Sequence, residues 1–74
     1  MGNTLLIIVA KYPDDTEYEI KTLTWTPMSL IKKRLIEEVG KPNIKIMYNS
    51  KFVNDNDTAE KLGINIGDVI NIIE

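Results

Sequence analysis

The stretch Thr26 to Gly40, TPMSLIKKRLIEEVG, limits the possible folds more than any other, because it reads as one amphipathic helix with both ends marked. Thr26 is placed to cap the first amides, and Pro27 suits the first helical position, where its missing N–H costs nothing. Gly40 offers a left-handed stop, and Pro42 prevents the helix from resuming. At roughly 100° per residue, Met28, Ile31, Leu35 and Val39 fall in one narrow stripe, with Ile36 on its flank. Such a stripe needs a surface to lie on. Lys32 projects roughly 40° from the stripe's centre, close enough to be half buried. A lysine there needs a carboxylate or must snorkel to water.

The remainder is short apolar runs broken by turn residues, so the surface beneath the helix is predicted to be a sheet drawn from both halves of the chain. Leu5 to Ala10 is unbroken Leu, Ile, Val and Ala, which suits a central strand with neighbours on both sides. Tyr12-Pro13-Asp14-Asp15-Thr16 carries turn chemistry. Glu17 to Trp25 then alternates, with Tyr18, Ile20 and Thr22 on one side and Glu19, Lys21 and Leu23 on the other. These two runs make a hairpin whose second strand is half solvated. Beyond Pro42, Ile44 to Tyr48 alternates again, and Asn49-Ser50 is a tight turn into Lys51-Phe52-Val53. Thr58 to Leu62, with Gly63 behind it, makes a single helical turn capped at each end, and Val69 to Ile73 is the last strand. Met1 to Asn3 read as a loose end. Gly2 opens no myristoylation motif, because Leu6 stands where Ser or Thr is required.

The 74 residues, 43% hydrophobic, build one core and leave no room for a second. A core of this size is worth about 3–5 kcal/mol net, and without cysteine no disulfide adds to it. The net charge of −2 gives no basic face for nucleic acid. The longest apolar run is far short of the roughly 20 residues that span a bilayer. The chain is therefore expected to be soluble, intracellular and monomeric, with neither nucleic acid nor membrane as partner. With no His and no Cys there is no imidazole base, thiolate nucleophile or thiolate zinc site. The acid pairs Asp14/Asp15 and Asp55/Asp57 fall at turns, where Asp is expected for backbone reasons. Glu60 also occupies the position where a calcium loop starting at Asp55 would need glycine. No catalytic residue, cofactor or metal is expected, and the chain is read as a non-enzyme.

The order of elements resembles the β-grasp fold of the ubiquitin superfamily, and the segment IKIMYNSKFVNDNDTAEKLGINIGDVINI, Ile44 to Ile72, resembles its SUMO branch. Val53-Asn54-Asp55-Asn56-Asp57-Thr58, Leu62-Gly63-Ile64 and Asp68-Val69-Ile70 carry the likeness, in order and in spacing, and it extends over nearly the whole chain. It implies an α+β fold over residues 1–74 as a single domain. In that fold a mixed five-stranded sheet packs on one helix, ββαββ with a short helical turn before the last strand. It puts Leu6, Ile8, Ala10, Ile20, Ile31, Leu35, Ile46, Val53, Leu62, Ile64, Ile70 and Ile72 in the core. It also implies a partly buried ion pair between Lys32 and Asp55.

Members that act as covalent modifiers are activated through a mobile tail ending in Gly-Gly, whereas this sequence ends at Glu74 in or just after the last strand. The resemblance therefore implies a non-covalent protein–protein interaction module within a larger protein of the nucleus or cytoplasm. The alternative is a SUMO-like covalent modifier lacking its tail. Two binding surfaces are implied. One is the sheet face turned away from the helix, with Ile7, Val9, Met47, Asn71 and Ile73. The other is the groove between the second strand and the helix, with Ile20, Lys21, Leu23, Leu30, Ile31, Arg34 and Leu35. In that groove SUMO takes an extended peptide as an added strand. Leu23, Leu30 and Glu38 stand where SUMO has basic residues, so the groove here suits something less acidic. Gly63 and Asp68 are the implied contact for a conjugating enzyme. Expected partners are that enzyme, ubiquitin- or SUMO-pathway receptors, or a SUMO-interacting-type peptide.

Overall fold

The computed structural model describes residues 4–74; the readings of Met1 to Asn3 and Gly2 lie outside the described residues. The elements are β1 Leu5–Lys11, β2 Glu17–Leu23, α1 Met28–Val39, β3 Lys45–Tyr48, β4 Lys51–Phe52, α2 Ala59–Leu62 and β5 Val69–Ile73. The five strands form one sheet in the order β2-β1-β5-β3-β4. β1 and β5 run parallel, with Val9 beside Val69 and Lys11 beside Asn71, and the other neighbours are antiparallel. Gly67 N–H to Ile7 O (2.8 Å) and Val9 N–H to Asp68 O (3.0 Å) extend the parallel pairing. This is the mixed α+β sheet with one main helix that the resemblance implies. β1 has neighbours on both sides as expected, but the middle strand is β5, so the last strand joins the two hairpins.

The hairpin turns follow the local chemistry. Asn49 (φ 54°) and Ser50 (φ 67°) are both left-handed, the backbone of a two-residue type I′ turn whose twist matches the flanking strands. In the first hairpin Tyr12 N–H donates to Thr16 O at 2.9 Å, and the Asp14 carboxylate accepts from Thr16 N–H at 3.0 Å.

At the start of α1 the structure corrects the sequence reading. Thr26 does not cap the helix; Pro27 holds the cap position, and no side chain bonds to the first amides. Met28 N–H donates instead to Asp57 O (2.7 Å) and Ser29 N–H to Asp55 O (3.1 Å). Carbonyls from the loop before α2 thus satisfy the donors that a capping side chain would otherwise take, while Thr26 N–H closes a turn onto Leu23 O at 3.0 Å. The other end is as read, with Gly40 left-handed (φ 81°) and its N–H on Ile36 O. Both caps of α2 are also as read. Thr58 Oγ1 accepts from Lys61 N–H, and Gly63 is left-handed (φ 77°).

α1 lays Met28, Ile31 and Leu35 against the sheet, where they meet Leu6, Ile8 and Ala10 of β1, Ile20 of β2, Ile46 of β3 and Ile70 and Ile72 of β5. Tyr12, Ile44, Ala59 and Ile64 complete the buried set. Val53 and Leu62, expected in the core, are only partly buried. Val53 follows a two-residue edge strand, its N–H still donating to Ile46 O at 3.0 Å, and Leu62 ends a single helical turn at the surface, so both pack at the margin of the core.

The expected ion pair between Lys32 and Asp55 does not form; neither residue has an ion-pair partner within 4 Å among the described residues. Asp55 is exposed and Lys32 half buried. The loop's structural carboxylate is Asp57 instead, 7% exposed, accepting from Asn54 N–H at 3.0 Å and meeting Lys61 Nζ at 3.3 Å. The Asn54 amide, and then Lys61, hold its pKa below the ordinary aspartate value. A carboxyl with a folded-state pKa below its unfolded one stabilises above the unfolded value, and that contribution is lost as pH falls through the folded one. The urea midpoint is expected to hold steady down to about pH 5 and fall below about pH 4. Asp57→Asn is expected to lower the midpoint at pH 7 and flatten the acid fall; an unchanged profile would count against this role.

Candidate functional site

The register fixes which side chains share the face turned away from α1. Antiparallel partners point the same way, so the pairs Leu5–Leu23, Ile7–Lys21, Val9–Glu19, Met47–Asn71, Lys45–Ile73 and Met47–Phe52 all lie on it. Of the five residues expected here, Ile7, Val9 and Met47 are half buried, and Asn71 and Ile73 are exposed. Met47, Asn71 and Ile73 line a depression of about 400 Å³, walled by Lys11 and Tyr12. Ile7 and Val9 lie outside it and continue the face towards β2. Alternation along β5 adds Val69, 42% exposed and beside Val9. The sequence reading missed Val69, although a step of two from Asn71 and Ile73 leads to it. Phe52 was also missed, and the Asn49-Ser50 turn, by setting the hairpin register, places it opposite Met47.

Tyr12 forms the inner wall of that depression. Its ring packs edge-on against Tyr18 at 5.4 Å, the Lys41 ammonium stands 5.5 Å from its centroid, and its buried hydroxyl has no hydrogen-bond partner among the described residues. Burial, and then Tyr18, push the phenol above its ordinary pKa.

The groove between β2 and α1 is also present, at about 290 Å³, and it gathers Ile20, Lys21, Leu23, Leu30, Ile31 and Arg34. Leu35 does not belong to it: at 0% exposure it lies beneath the groove floor, wholly in the core. The open edge of β2 is partly occupied from within. Thr24 N–H donates to Thr4 O, so by the alternation of an antiparallel ladder Glu19, Lys21 and Leu23 turn their backbone groups outward. Arg34 Nη1 already donates to Lys21 O at 3.0 Å, and Leu23 O accepts from Thr26 N–H. A peptide adding as a strand here must first displace the guanidinium.

Gly63 and Asp68 have internal roles. Gly63 ends α2, and Asp68 Oδ2 accepts from Tyr48 Oη (2.7 Å) and Asn65 N–H (2.9 Å). The Asn65 amide and then the Tyr48 hydroxyl hold the Asp68 carboxyl below its ordinary pKa. Among the described residues no group of three or more Asp or Glu is placed to hold a metal ion, and no helix is long and apolar enough to cross a membrane.

No family model and no curated protein matches the sequence. Solved structures do match. One, described as molecular mimicry of SUMO that promotes DNA repair, superposes with a TM-score of 0.83 over 100% of this chain and 96% of its own, at 12% identity. Another, the solution structure of the N-terminal ubiquitin-like domain of the 4931431F19Rik protein, superposes with a TM-score of 0.84 over 97% of this chain and 76% of its own, at 15% identity. With its mixed five-stranded sheet cupping one helix, the chain has the ubiquitin-like β-grasp fold.

Proposed function

We propose that this domain is a non-covalent protein–protein interaction module that receives its partners on the outer face of the sheet. The observation that carries this reading is the alternation of β1, β3 and β5. Each strand buries one set of apolar side chains under α1 and turns a second set outward, with Ile7, Val9, Met47, Val69 and Ile73 on one face. Outward-facing apolar residues gathered on one face, rimmed by Lys11, Glu19 and Lys45, are what a docking surface provides. The β2–α1 groove is the weaker candidate, because Arg34 already holds an edge carbonyl there. The partners in view are a SUMO-conjugating enzyme or a ubiquitin- or SUMO-pathway receptor, in an intracellular setting.

The test is calorimetric titration of the intact chain and two variants, Val69→Asp and Ile73→Asp, against a purified SUMO-conjugating enzyme, a ubiquitin-receptor domain and a SUMO-interacting peptide. Both positions are exposed (42% and 37%), so the fold should persist. Each charge is expected to weaken binding by about tenfold or more, equivalent to about 1.4 kcal/mol. Binding that survives both substitutions would place the site elsewhere, and no binding to any of the three would leave a structural domain without a docking role.

A further inference from the structure

The flank of α1 opposite β2 is not closed. β4 is only two residues long, its pairing with β3 ends on one last bond, Val53 N–H to Ile46 O at 3.0 Å, and the edge of the helix that carries Met28 and Lys32 borders a gap. A cavity of about 230 Å³ lies there, lined by Met28, Lys32, Ile46, Phe52, Val53 and Asp55 with Lys45 at its mouth. A second hollow of about 340 Å³ shares Lys32, Lys45 and Phe52 and runs on to Pro42. Met28 and Ile46 belong to the buried core, whereas Phe52 at the rim is 59% exposed.

The cavity is lined by two lysines, Lys32 and Lys45, against one carboxylate, Asp55. Lys11, Arg34, Lys41 and Lys61 each have a carboxylate within 4 Å, whereas Lys32 and Lys45, like Lys21, Lys33 and Lys51, have none among the described residues. The Lys45 ammonium stands 5.8 Å from the Phe52 ring centroid. Of the two acids on the rim, Glu74 is taken by Lys41 at 2.9 Å, and Asp55 is exposed, serving α1 through its backbone carbonyl. Two ammonium groups with no carboxylate within 4 Å among the described residues thus flank a hole whose floor is Met28 and Ile46. A half-buried lysine in that setting carries a desolvation cost that a carboxylate from outside would offset.

We infer that the cavity between α1 and the β3–β4 hairpin is a second docking site. It takes a short acidic peptide segment of a partner, one large apolar side chain filling the hole and an adjacent carboxylate meeting Lys32 and Lys45. The volume is below that of a drug-sized pocket and suits a single anchor. Lysine, a hydrated point charge on a flexible stem, suits a lone carboxylate better than a fixed bidentate pattern. Nucleic acid fits less well. Two lysines beside the Asp55 carboxylate make only a short phosphate track. The site adjoins the outer sheet face and shares Lys45 and Phe52 with it, whereas Met28, Lys32 and Ile46 lie off that face, so Lys32→Met tests this site apart from the other.

The test uses the ¹⁵N-labelled full chain titrated with the blocked peptide Gly-Phe-Asp-Glu-Gly, its twin with Asn and Gln in place of the two acids, and a short oligothymidylate. The acidic peptide is expected to shift the amides of Met28, Lys32, Ile46, Phe52 and Val53. The neutral twin should bind about tenfold more weakly, and Lys32→Met or Lys45→Met should each weaken the acidic peptide about three- to fivefold. Phe52→Ala should abolish binding while leaving the rest of the spectrum in place. In the absence of peptide, Lys32→Met should unfold at higher urea, because it removes an uncompensated charge; a lower midpoint would assign Lys32 to the fold and overturn the inference. Equal binding of the two peptides, shifts confined to Ile20 through Arg34, no shifts at millimolar peptide, or a response to the oligothymidylate alone would each overturn it as well.

Discussion

Leu35→Ala is expected to leave the chain largely unfolded at room temperature. Leu35 is 0% exposed at the centre of the helix stripe, packed in one cluster with residues from all three central strands. Truncating a fully buried leucine to alanine costs about 2–5 kcal/mol, the lost transfer energy plus the cavity left behind. A single core of this size supplies only about 3–5 kcal/mol, so one substitution can consume the whole margin. Leu30→Ala is the matched control. Leu30 lies on the same helix but is 54% exposed, and its truncation should move the urea midpoint little. Urea unfolding followed by circular dichroism checks both. Equal midpoints for the two variants would mean that the stripe does not lie on the sheet.

Truncation after Asp68 should have a still larger effect. Removing β5 takes away the one strand that pairs with both β1 and β3. What remains is two separate hairpins, β1–β2 and β3–β4, and an isolated hairpin is marginal at best in water. Ile70 and Ile72, exposed at 0% and 1%, leave with the strand, so the helix loses the middle of the floor beneath it. The truncated chain is expected to show collapsed amide dispersion and no cooperative transition. A cooperative transition after this truncation would mean that the N-terminal hairpin and the helix form a folding unit without the last strand, against the strand order described above.

Much of this architecture could be read from local pattern. The period of Met28, Ile31 and Leu35, the left-handed glycines Gly40 and Gly63, the Asn49-Ser50 turn and the alternation of β2 and β3 each depend on a few neighbouring residues, and each is found where the sequence places it. The misses at Thr26, Lys32 and Phe52 share one cause, a partner distant in sequence. Thr26 has the right chemistry for a cap but loses the position to the carbonyls of Asp55 and Asp57, which arrive from a loop about thirty residues away by sequence number. Lys32 was given Asp55 by resemblance, and the loop turns Asp57 inward instead. Leu35 was assigned to a groove that shares its helix, but its position on the stripe puts it under the floor. Phe52 joins the outer face through pairing register, which becomes explicit when strands are laid beside one another, whereas Val69 follows from alternation along β5.

The claim on which the functional reading rests is that one face of the sheet is buried under α1 while the opposite face, equally patterned with apolar side chains, receives partners. Amide shift mapping of the ¹⁵N-labelled chain with a bound SUMO-conjugating enzyme or pathway receptor tests it most directly. Perturbations centred on Ile7, Val9, Met47, Val69 and Ile73, with the amides of α1 unmoved, are the predicted result. Perturbations centred on Ile20, Lys21 and Arg34, with the outer face silent, would contradict it.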